Sequence, residues 1–79
     1  MFVYALVNNE KRIYVGMTKN VLNRLEDHNC GRVFSTKGYR PWKVLYKEEC
    51  IDRKNSRIRE KYLKSGTGKE FLKSKLSPL

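Results

Sequence analysis

The sequence has little of several residue types on which common protein sites depend. It contains two cysteines, one histidine and two prolines in 79 residues. Cys30 and Cys50 do not form a CxxC motif, and together with His28 they supply too few ligands for a four-ligand zinc site. We therefore expect reduced thiols rather than a disulfide framework or a zinc site.

Long apolar runs are also missing from the sequence. No run approaches the roughly 18 residues of a membrane-spanning helix. The apolar stretch at residues 2–7 is too short for a signal peptide, so we expect a cytoplasmic protein. A length of 79 residues predicts one small domain, residues 1–79, near the lower size limit for a single hydrophobic core.

Acidic residues are scarce relative to basic ones. Eighteen lysines and arginines against eight aspartates and glutamates give a net charge of +10. A surface this basic on so small a domain attracts phosphate backbones by releasing counterions. The alternative is a generally basic protein with no such partner. An acidic membrane is less favoured, because no long segment pairs a basic face with a bulky apolar one. We expect nucleic acid as the partner and no membrane.

Two short strands at residues 2–7 and 12–16 each contain a central tyrosine. A two-residue loop at 9–10 would put Tyr4 and Tyr14 on opposite faces of the hairpin. A three-residue loop at 8–10 puts Tyr4 directly across from Tyr14 and sorts the side chains cleanly, which favours it. The aliphatic face then contains Val3, Ala5, Val7, Ile13 and Val15, and the aromatic and polar face contains Phe2, Tyr4, Leu6, Arg12, Tyr14 and Gly16.

A helix is predicted to follow the hairpin and to run to about Asn29. Its N-cap is Thr18 or Asn20, and Gly31 is typical of the residue just past a helix end. The buried stripe is predicted to consist of Val21, Leu22 and Leu25. Arg24 and His28 share one flank of that stripe because they are four residues apart. A solvated arginine and a histidine without a special role are the default interpretation, and a functional pair is the alternative.

Residues 30–41 form a long connection that contains two glycines and a proline. Basic side chains alternate in it with Phe34 and Tyr39, a pattern that suits contact with a phosphate backbone and stacking on bases. The basic residues are Arg32, Lys37 and Arg40. The alternative is that Phe34 pins the loop to the core.

The rest of the chain predicts a third strand at residues 42–49 and a helix at 53–64 with Asp52 as its N-cap. That helix has two possible inward stripes, Ile51–Ile58–Tyr62 and Ser56–Glu60–Leu63, and the spacing does not choose between them. A final short helix is predicted at 69–76, with Phe71, Leu72 and Leu76 packed inward, followed by an irregular end at 77–79. The predicted fold class is α+β, a three-stranded antiparallel sheet flanked by helices in the order β-β-α-β-α-α.

Five motifs in this order resemble the GIY-YIG nuclease superfamily. Within it, the chain is similar to small single-domain proteins and to the N-terminal nuclease module of the bacterial excision-repair subunit. The motifs are Phe2-Val3-Tyr4, Tyr14-Val15-Gly16, the segment from Asn23 to Gly31, the loop from Ser35 to Trp42, and the segment from Arg59 to Lys64. Each motif is weak alone, and together they cover nearly the whole chain.

The resemblance implies an endonuclease that hydrolyses phosphodiester bonds in DNA with Mg²⁺ or Mn²⁺. Glu60 would be the metal ligand, which fits hard oxygen coordination completed by water. Arg24 would hold the scissile phosphate with its planar guanidinium. Tyr4 or Tyr14 would activate the attacking water, and the sequence does not decide which. His28 would assist proton transfer or hold a phosphate oxygen, its structural alternative being a hydrogen bond at the helix end.

Departures from the family pattern concern Phe2, at the first motif's glycine position, and Met17, where many relatives have lysine. Any electrostatic help that this lysine gives in relatives then comes from Lys19 or another basic residue, or is absent. The predicted nucleic-acid contacts are Lys19, Arg32, Lys37, Tyr39 and Arg40. Branched, damaged or single-stranded DNA is the expected substrate, because one small module cannot recognise a long sequence. A non-catalytic nucleic-acid-binding module and a protein-interaction adaptor are the competing hypotheses.

Overall fold

The computed structural model describes residues 1–76, and the predicted irregular end at 77–79 lies outside them. The elements are β1 (Phe2–Asn8), β2 (Ile13–Thr18), α1 (Val21–Asn29), a short 3₁₀ turn (Lys37–Tyr39), β3 (Trp42–Glu49), α2 (Arg53–Lys64) and α3 (Gly66–Lys73). The sheet has three antiparallel strands in the order β2-β1-β3. The predicted α+β class and element order are confirmed, and β3 and α2 have the predicted bounds.

The hairpin register differs from the prediction by one residue on each strand. Tyr4 pairs with Gly16, and Tyr14 pairs with Leu6, so the predicted pairing of Tyr4 with Tyr14 is wrong. The loop does have three residues, but they are 9–11 rather than 8–10. The Asn8 side chain explains the shift, because its Oδ1 accepts hydrogen bonds from the backbone N–H groups of Glu10 (3.0 Å) and Arg12 (2.8 Å).

The predicted separation of the hairpin into two faces survives the shift. Moving the register by one residue on both strands keeps the side-chain parity, so Tyr4 and Tyr14 become diagonal neighbours on one face. Lys11 closes the loop with φ of 64°, the left-handed conformation typical of three-residue hairpin loops. The tyrosines therefore still lie together, although they are not directly opposite.

Helices cover both faces of the sheet. Val3, Ala5 and Val15 pack with Leu63 of α2 and Leu72 of α3 on the aliphatic face. Helix α1 covers the aromatic face. The buried residues there are Tyr4 and Leu6 of β1, Trp42 of β3 and Val21 of α1. In residues 1–76, none of the helices is both long and apolar enough to cross a membrane.

Helix α1 has the predicted ends but not the whole predicted stripe. The Oδ1 of Asn20 accepts from the N–H of Asn23 at 3.0 Å, and Gly31 follows the helix with φ of 81°. Leu22 is 71% exposed, so its assignment to the core is wrong. The face toward the sheet contains Val21, Leu25 and His28, spaced four and three residues apart, and Leu22 lies about 100° around the helix from Val21.

Helix α2 presents the stripe of Ser56, Glu60 and Leu63 to the sheet. Ser56 and Leu63 are fully buried, and the Ser56 hydroxyl is satisfied by the backbone oxygen of Asp52 at 2.9 Å. The other candidate stripe faces outward, with Ile58 exposed. A two-pronged ion pair between Arg59 and Glu48 of β3, at 2.8 and 3.0 Å, helps to fix this rotation of the helix.

Helix α3 begins three residues earlier than predicted, and Leu76 lies beyond its end. Ser65 both follows the last residue of α2 and caps α3, because its Oγ accepts from the N–H of Gly68 at 3.2 Å. Gly68, predicted to precede the helix, is a buried position within it. Leu72 is buried, and the ring centroids of Phe71 and Tyr46 are 5.2 Å apart. Both Leu72 and Phe71 therefore pack inward as predicted.

Gly68→Ala should destabilise the protein by about 1–3 kcal/mol, the usual cost of overpacking. A Cβ at this position would lie 2.5 Å from the Leu63 Cα and overlap the Tyr62 carbonyl oxygen, so the α2–α3 contact would have to open. In an unobstructed helix the same change usually stabilises by about 1 kcal/mol. Urea denaturation would measure the difference, with Gly66→Ala as the control because a Cβ added to Gly66 would meet open space. Equal stability of the two variants would contradict the close contact.

Candidate active site

Three aromatic rings form a cluster on the face of the sheet that α1 covers. The ring centroids of Tyr4 and Tyr14 are 6.3 Å apart. The His28 ring lies 6.0 Å from the Tyr4 ring and 4.8 Å from the Tyr14 ring, with an edge-to-face arrangement in both cases. The structure therefore brings together three of the five residues predicted to be catalytic.

A buried chain of hydrogen bonds runs through this cluster. The Tyr4 hydroxyl lies 3.0 Å from His28 Nε2, and His28 Nδ1 lies 2.7 Å from the Thr36 Oγ1. The Thr36 hydroxyl donates to the carbonyl of Val33 at 3.4 Å. Thr36 Oγ1 therefore accepts from the Nδ1–H of His28, which leaves Nε2 free to accept the Tyr4 proton. We assign this tautomer from the hydrogen-bond network.

Thr36 belongs to this hydrogen-bond chain, and the sequence analysis did not predict it. The residue is buried, and its backbone oxygen also accepts a hydrogen bond from the Trp42 indole N–H at 3.0 Å. A buried histidine needs partners for both ring nitrogens, so the Ser-Thr pair in the loop was the available signal. His28 is fully buried, and its functional role stays a prediction.

The environment keeps both Tyr4 and His28 neutral near pH 7. Burial raises the pKa of Tyr4 to about 12, the Arg24 guanidinium opposes that rise, and Tyr14 and Glu60 add to it. Burial lowers the pKa of His28, and the positive charge of Arg24 lowers it further, against a smaller opposite effect of Asp27. A neutral imidazole beside a neutral phenol is the arrangement in which the phenol proton can move to the ring.

His28 should make the stability fall with acid. Because its pKa in the folded protein is below that of the unfolded chain, near 6.5, the full stability is present above that pH. Below it the unfolded chain binds more protons, so the free energy of unfolding should fall by up to about 1.4 kcal/mol per pH unit. Urea denaturation at a series of pH values from about 7.5 to about 5 would measure how the free energy of unfolding changes with pH. The His28→Gln variant should lose this dependence. A pH-independent wild type, or an unchanged slope in the variant, would contradict the assignment.

The Arg24 guanidinium is close enough to the Tyr4 hydroxyl for each group to shift the pKa of the other. Its side chain is 37% exposed and pairs with Asp27 at 3.5 Å. The same carboxylate pairs with Arg32 at 2.9 Å. The pKa of Arg24 is raised, first by hydrogen bonding with Tyr4 and then by the charge interactions with the phenol groups of Tyr4 and Tyr14. Arg24 therefore combines a partly exposed guanidinium with an electrostatic link to Tyr4, the first residue of the buried chain.

Glu60 lies on α2, the helix that packs on the aliphatic face, and its charge links it to the aromatic cluster. Its side chain is 19% exposed and pairs with Lys64 of α2 at 3.2 Å, and its charge is among the causes of the raised pKa of Tyr4. Within residues 1–76 no group of three or more His, Cys, Asp or Glu residues could hold a metal ion. A single carboxylate fits Mg²⁺ or Mn²⁺, which keep several waters, and does not fit structural zinc.

Gly16 lies under the tyrosine pair. A Cβ at this position would lie 2.8 Å from the Tyr4 hydroxyl oxygen and 3.1 Å from the Tyr14 ring. A side chain here would push the Tyr4 hydroxyl away from His28. Met17 packs with the aliphatic cluster on the other face, so the residue that replaces the family's lysine does not contact the tyrosines' side of the sheet.

The predicted nucleic-acid contacts lie on exposed turns around the site. Lys19 is exposed just before α1, and Arg32 pairs with Asp27. The Arg12 guanidinium lies 4.1 Å above the Tyr39 ring, and Arg40 donates to the Lys37 carbonyl at 2.7 Å. Their exposure is compatible with nucleic-acid contact, and their role stays a prediction.

Phe34 does not pin its loop to the core. The side chain is 84% exposed, and the Lys37 ammonium lies 5.3 Å from its ring. Trp42 and Thr36 anchor the loop instead, and Asn29 exchanges hydrogen bonds with the backbone of Trp42 at 2.7 and 2.9 Å. The alternative of an anchoring Phe34 is therefore wrong, and an exposed aromatic ring stands in the basic loop.

Comparison with known proteins gives one family. A family model described as the GIY-YIG catalytic domain matches residues 1–74. The chain is 33% identical over 73 residues to a UPF0213 protein of Clostridium perfringens, covering 90% of this chain and 77% of that protein. It is 32% identical over 65 residues to a UPF0213 protein of Desulfotalea psychrophila, covering 80% of this chain but 59% of that protein. No solved structure matches. The chain therefore belongs to the GIY-YIG family of nuclease domains.

Proposed function

We propose that the protein is a divalent-metal-dependent endonuclease that hydrolyses phosphodiester bonds in DNA. The observation that supports this most is the buried chain from the Tyr4 hydroxyl through His28 to Thr36, with the Arg24 guanidinium close enough to Tyr4 to act on its pKa. In this chain, His28 Nε2 can accept the proton of the Tyr4 hydroxyl. A binding module has no use for a buried proton acceptor behind a phenol, so this feature favours catalysis over binding alone.

Arg24 holds the scissile phosphate in this proposal. Its side chain is partly exposed, and its present partner is the single carboxylate Asp27 at 3.5 Å. A phosphate offers two oxygens to the planar guanidinium and carries the charge that grows during attack. Asp27 retains Arg32 as a closer partner, at 2.9 Å, so Arg24 can turn to the phosphate without leaving Asp27 unpaired.

Tyr4 and His28 move the proton of the attacking water. The Tyr4 oxygen takes a proton from the water while its own proton passes to His28 Nε2, and the water oxygen forms its bond to phosphorus. The His28 Nδ1–H keeps its hydrogen bond to Thr36, and the bond to the leaving oxygen breaks as that oxygen takes a proton from solvent. His28 Nε2 then returns its extra proton to Tyr4 as the Tyr4 hydroxyl releases one to solvent, which restores the neutral pair. Because the pKa of Tyr4 is raised to about 12, a free phenolate is scarce near pH 7, and the proposed transfer is therefore concerted. Tyr14 stands against His28 and orients the water.

Glu60 would hold the metal ion. When bound, a divalent ion supplies positive charge to the phosphate oxygens and the leaving oxygen. Glu60 is only partly exposed and is paired with one lysine, Lys64, which can swing away because its own side chain is 55% exposed. Branched, damaged or single-stranded DNA is the proposed substrate, as expected for a small module with one basic loop.

Arg24→Ala should lower the rate of DNA cleavage at saturating protein by about 10²–10³-fold, because the charge on the phosphate loses its stabilising partner. Single-turnover cleavage of labelled single-stranded and branched DNA in Mg²⁺ or Mn²⁺ would measure the loss. Arg12→Ala is the control, because Arg12 is also an arginine paired with a carboxylate, Glu10 at 3.9 Å, and is not among the predicted nucleic-acid contacts. Equal rates for Arg24→Ala and the wild type, in protein cleared of contaminating nucleases, would refute the role of Arg24.

A further inference from the structure

Helix α2 carries a row of cations that the proposed mechanism does not use. Arg53, Arg57 and Lys61 are exposed and stand four residues apart, with Lys54 beside them. Within residues 1–76 none of these four cations pairs with a carboxylate, unlike Lys64 and Arg59 of the same helix. The row is therefore an uncompensated line of positive charge.

The row runs along the side of α2 next to Glu60. At 100° per residue, Arg53, Arg57 and Lys61 lie about 20°, 60° and 100° around α2 from Glu60, and Arg57 is about one turn away from it. The rise of about 1.5 Å per residue spreads Arg53, Arg57 and Lys61 over about 12 Å. That length corresponds to three or four nucleotides of one strand at about 3.4 Å each. A strand held at Glu60 can thus continue along the row.

A shallow groove accompanies the row. Its volume is about 430 Å³, and its lining consists of Arg53, Lys54, Arg57, Ile58 and Lys61. The lining surface is mostly apolar, since Ile58 and the aliphatic stems of the four cations form it, and the four positive charges are what favour a polyanion as the occupant. The charge is complementary to a polyanion, and a phosphate backbone supplies regularly spaced charges to match the spacing of the cations.

We propose that the Arg53–Arg57–Lys61 row binds the phosphate backbone of the nucleic-acid strand that continues beyond the cleavage site. The inference rests on the proposed function, since it takes the strand to run through the site at Glu60. It assigns to α2 two tasks on adjacent sides, with the carboxylate turned to the reaction and the cations turned to the flanking strand.

The test is the salt dependence of binding to a labelled DNA single strand and duplex in EDTA, where no cleavage occurs. The triple variant Arg53→Gln, Arg57→Gln, Lys61→Gln should reduce the slope of log K against log salt by about 2 to 3. The control triple Lys69→Gln, Lys73→Gln, Lys75→Gln removes the same charge from the α3 end and should leave the slope nearly unchanged. Thermal melting of both triples checks the fold.

Equal slopes for the two triples would overturn the proposal, because only net charge would then matter. A wild-type DNA slope in the α2 triple, with lost binding to vesicles of acidic phospholipid, would also overturn it in favour of a membrane surface. Failure of the proposed nuclease function is distinguishable, since it would appear as absent cleavage in Mg²⁺ or Mn²⁺ while the slope difference persists.

Discussion

Glu60→Gln should abolish metal-dependent DNA cleavage, with a loss of about a thousandfold or more, while the fold and the affinity for DNA remain. The amide keeps the size of the side chain but removes the charge that would hold a divalent ion. The free energy of unfolding should change little, because the partly exposed ion pair with Lys64 contributes at most about 1 kcal/mol. Single-turnover cleavage and DNA binding, measured on the same preparation, separate the two effects.

Glu70→Gln is the matched control for Glu60→Gln. Glu70 also pairs with a lysine of its own helix, Lys73, at 3.8 Å, but its side chain is 78% exposed and lies on α3. Cleavage by this variant should equal that of the wild type. If Glu60→Gln cleaves DNA as fast as Glu70→Gln does, the metal site is elsewhere and the proposed role of Glu60 fails.

Tyr4→Phe should slow cleavage by about 10²–10⁴-fold, the usual contribution of a positioned proton-transfer group. The variant keeps the ring and removes only the hydroxyl that contacts His28 Nε2 at 3.0 Å. A buried ring nitrogen without a partner should also cost about 1–3 kcal/mol of stability, which urea denaturation would measure. Rates must therefore be taken under conditions where the variant is fully folded.

Tyr14→Phe is the comparison that decides between the two tyrosines. Tyr14 contacts the His28 ring edge-to-face, and this packing survives loss of its hydroxyl. We expect a smaller rate loss than for Tyr4→Phe, because Tyr14 only orients the water in the proposed mechanism. A larger loss in Tyr14→Phe would reverse the assignment and make Tyr14 the group that takes the proton.

The strongest local signals of the sequence predicted whole elements. The bounds of α2 and β3 were predictable because Asp52 is a good N-cap and because β3 contains β-forming residues at 42, 44 and 46. The parity of the hairpin was predictable from its apolar pattern, and it placed Tyr4 and Tyr14 on one face. These features depend on neighbours in the chain, and local chemistry is enough to fix them.

The errors arose where one specific side-chain contact determines the register, the burial or the start of an element. The register depended on Asn8, whose side chain binds two loop N–H groups, and the start of α3 depended on Ser65 serving two helices. The burial of His28 required Thr36 from a distant loop. The rotation of α2 required β3, through the pair of Arg59 with Glu48. No periodicity in the sequence contains these contacts.

The predicted roles of the five site residues, the single-domain boundary and the cytoplasmic location stay predictions. The family membership and the geometry around Tyr4 support a nuclease. The choice of metal ion and the form of DNA that is cleaved depend on the loaded site and the bound strand, so an assay on the protein itself decides them.

The most direct test of a metal-dependent nuclease is cleavage by the purified wild-type chain in Mg²⁺, in Mn²⁺ and in EDTA. Labelled single-stranded, branched and damaged duplex DNA would be offered to the same preparation, with Arg24→Ala purified in parallel. We predict cleavage of at least one substrate with Mg²⁺ or Mn²⁺, none in EDTA and none above background for Arg24→Ala. Salt-sensitive binding of every substrate without cleavage of any would contradict the account and identify a non-catalytic binding module.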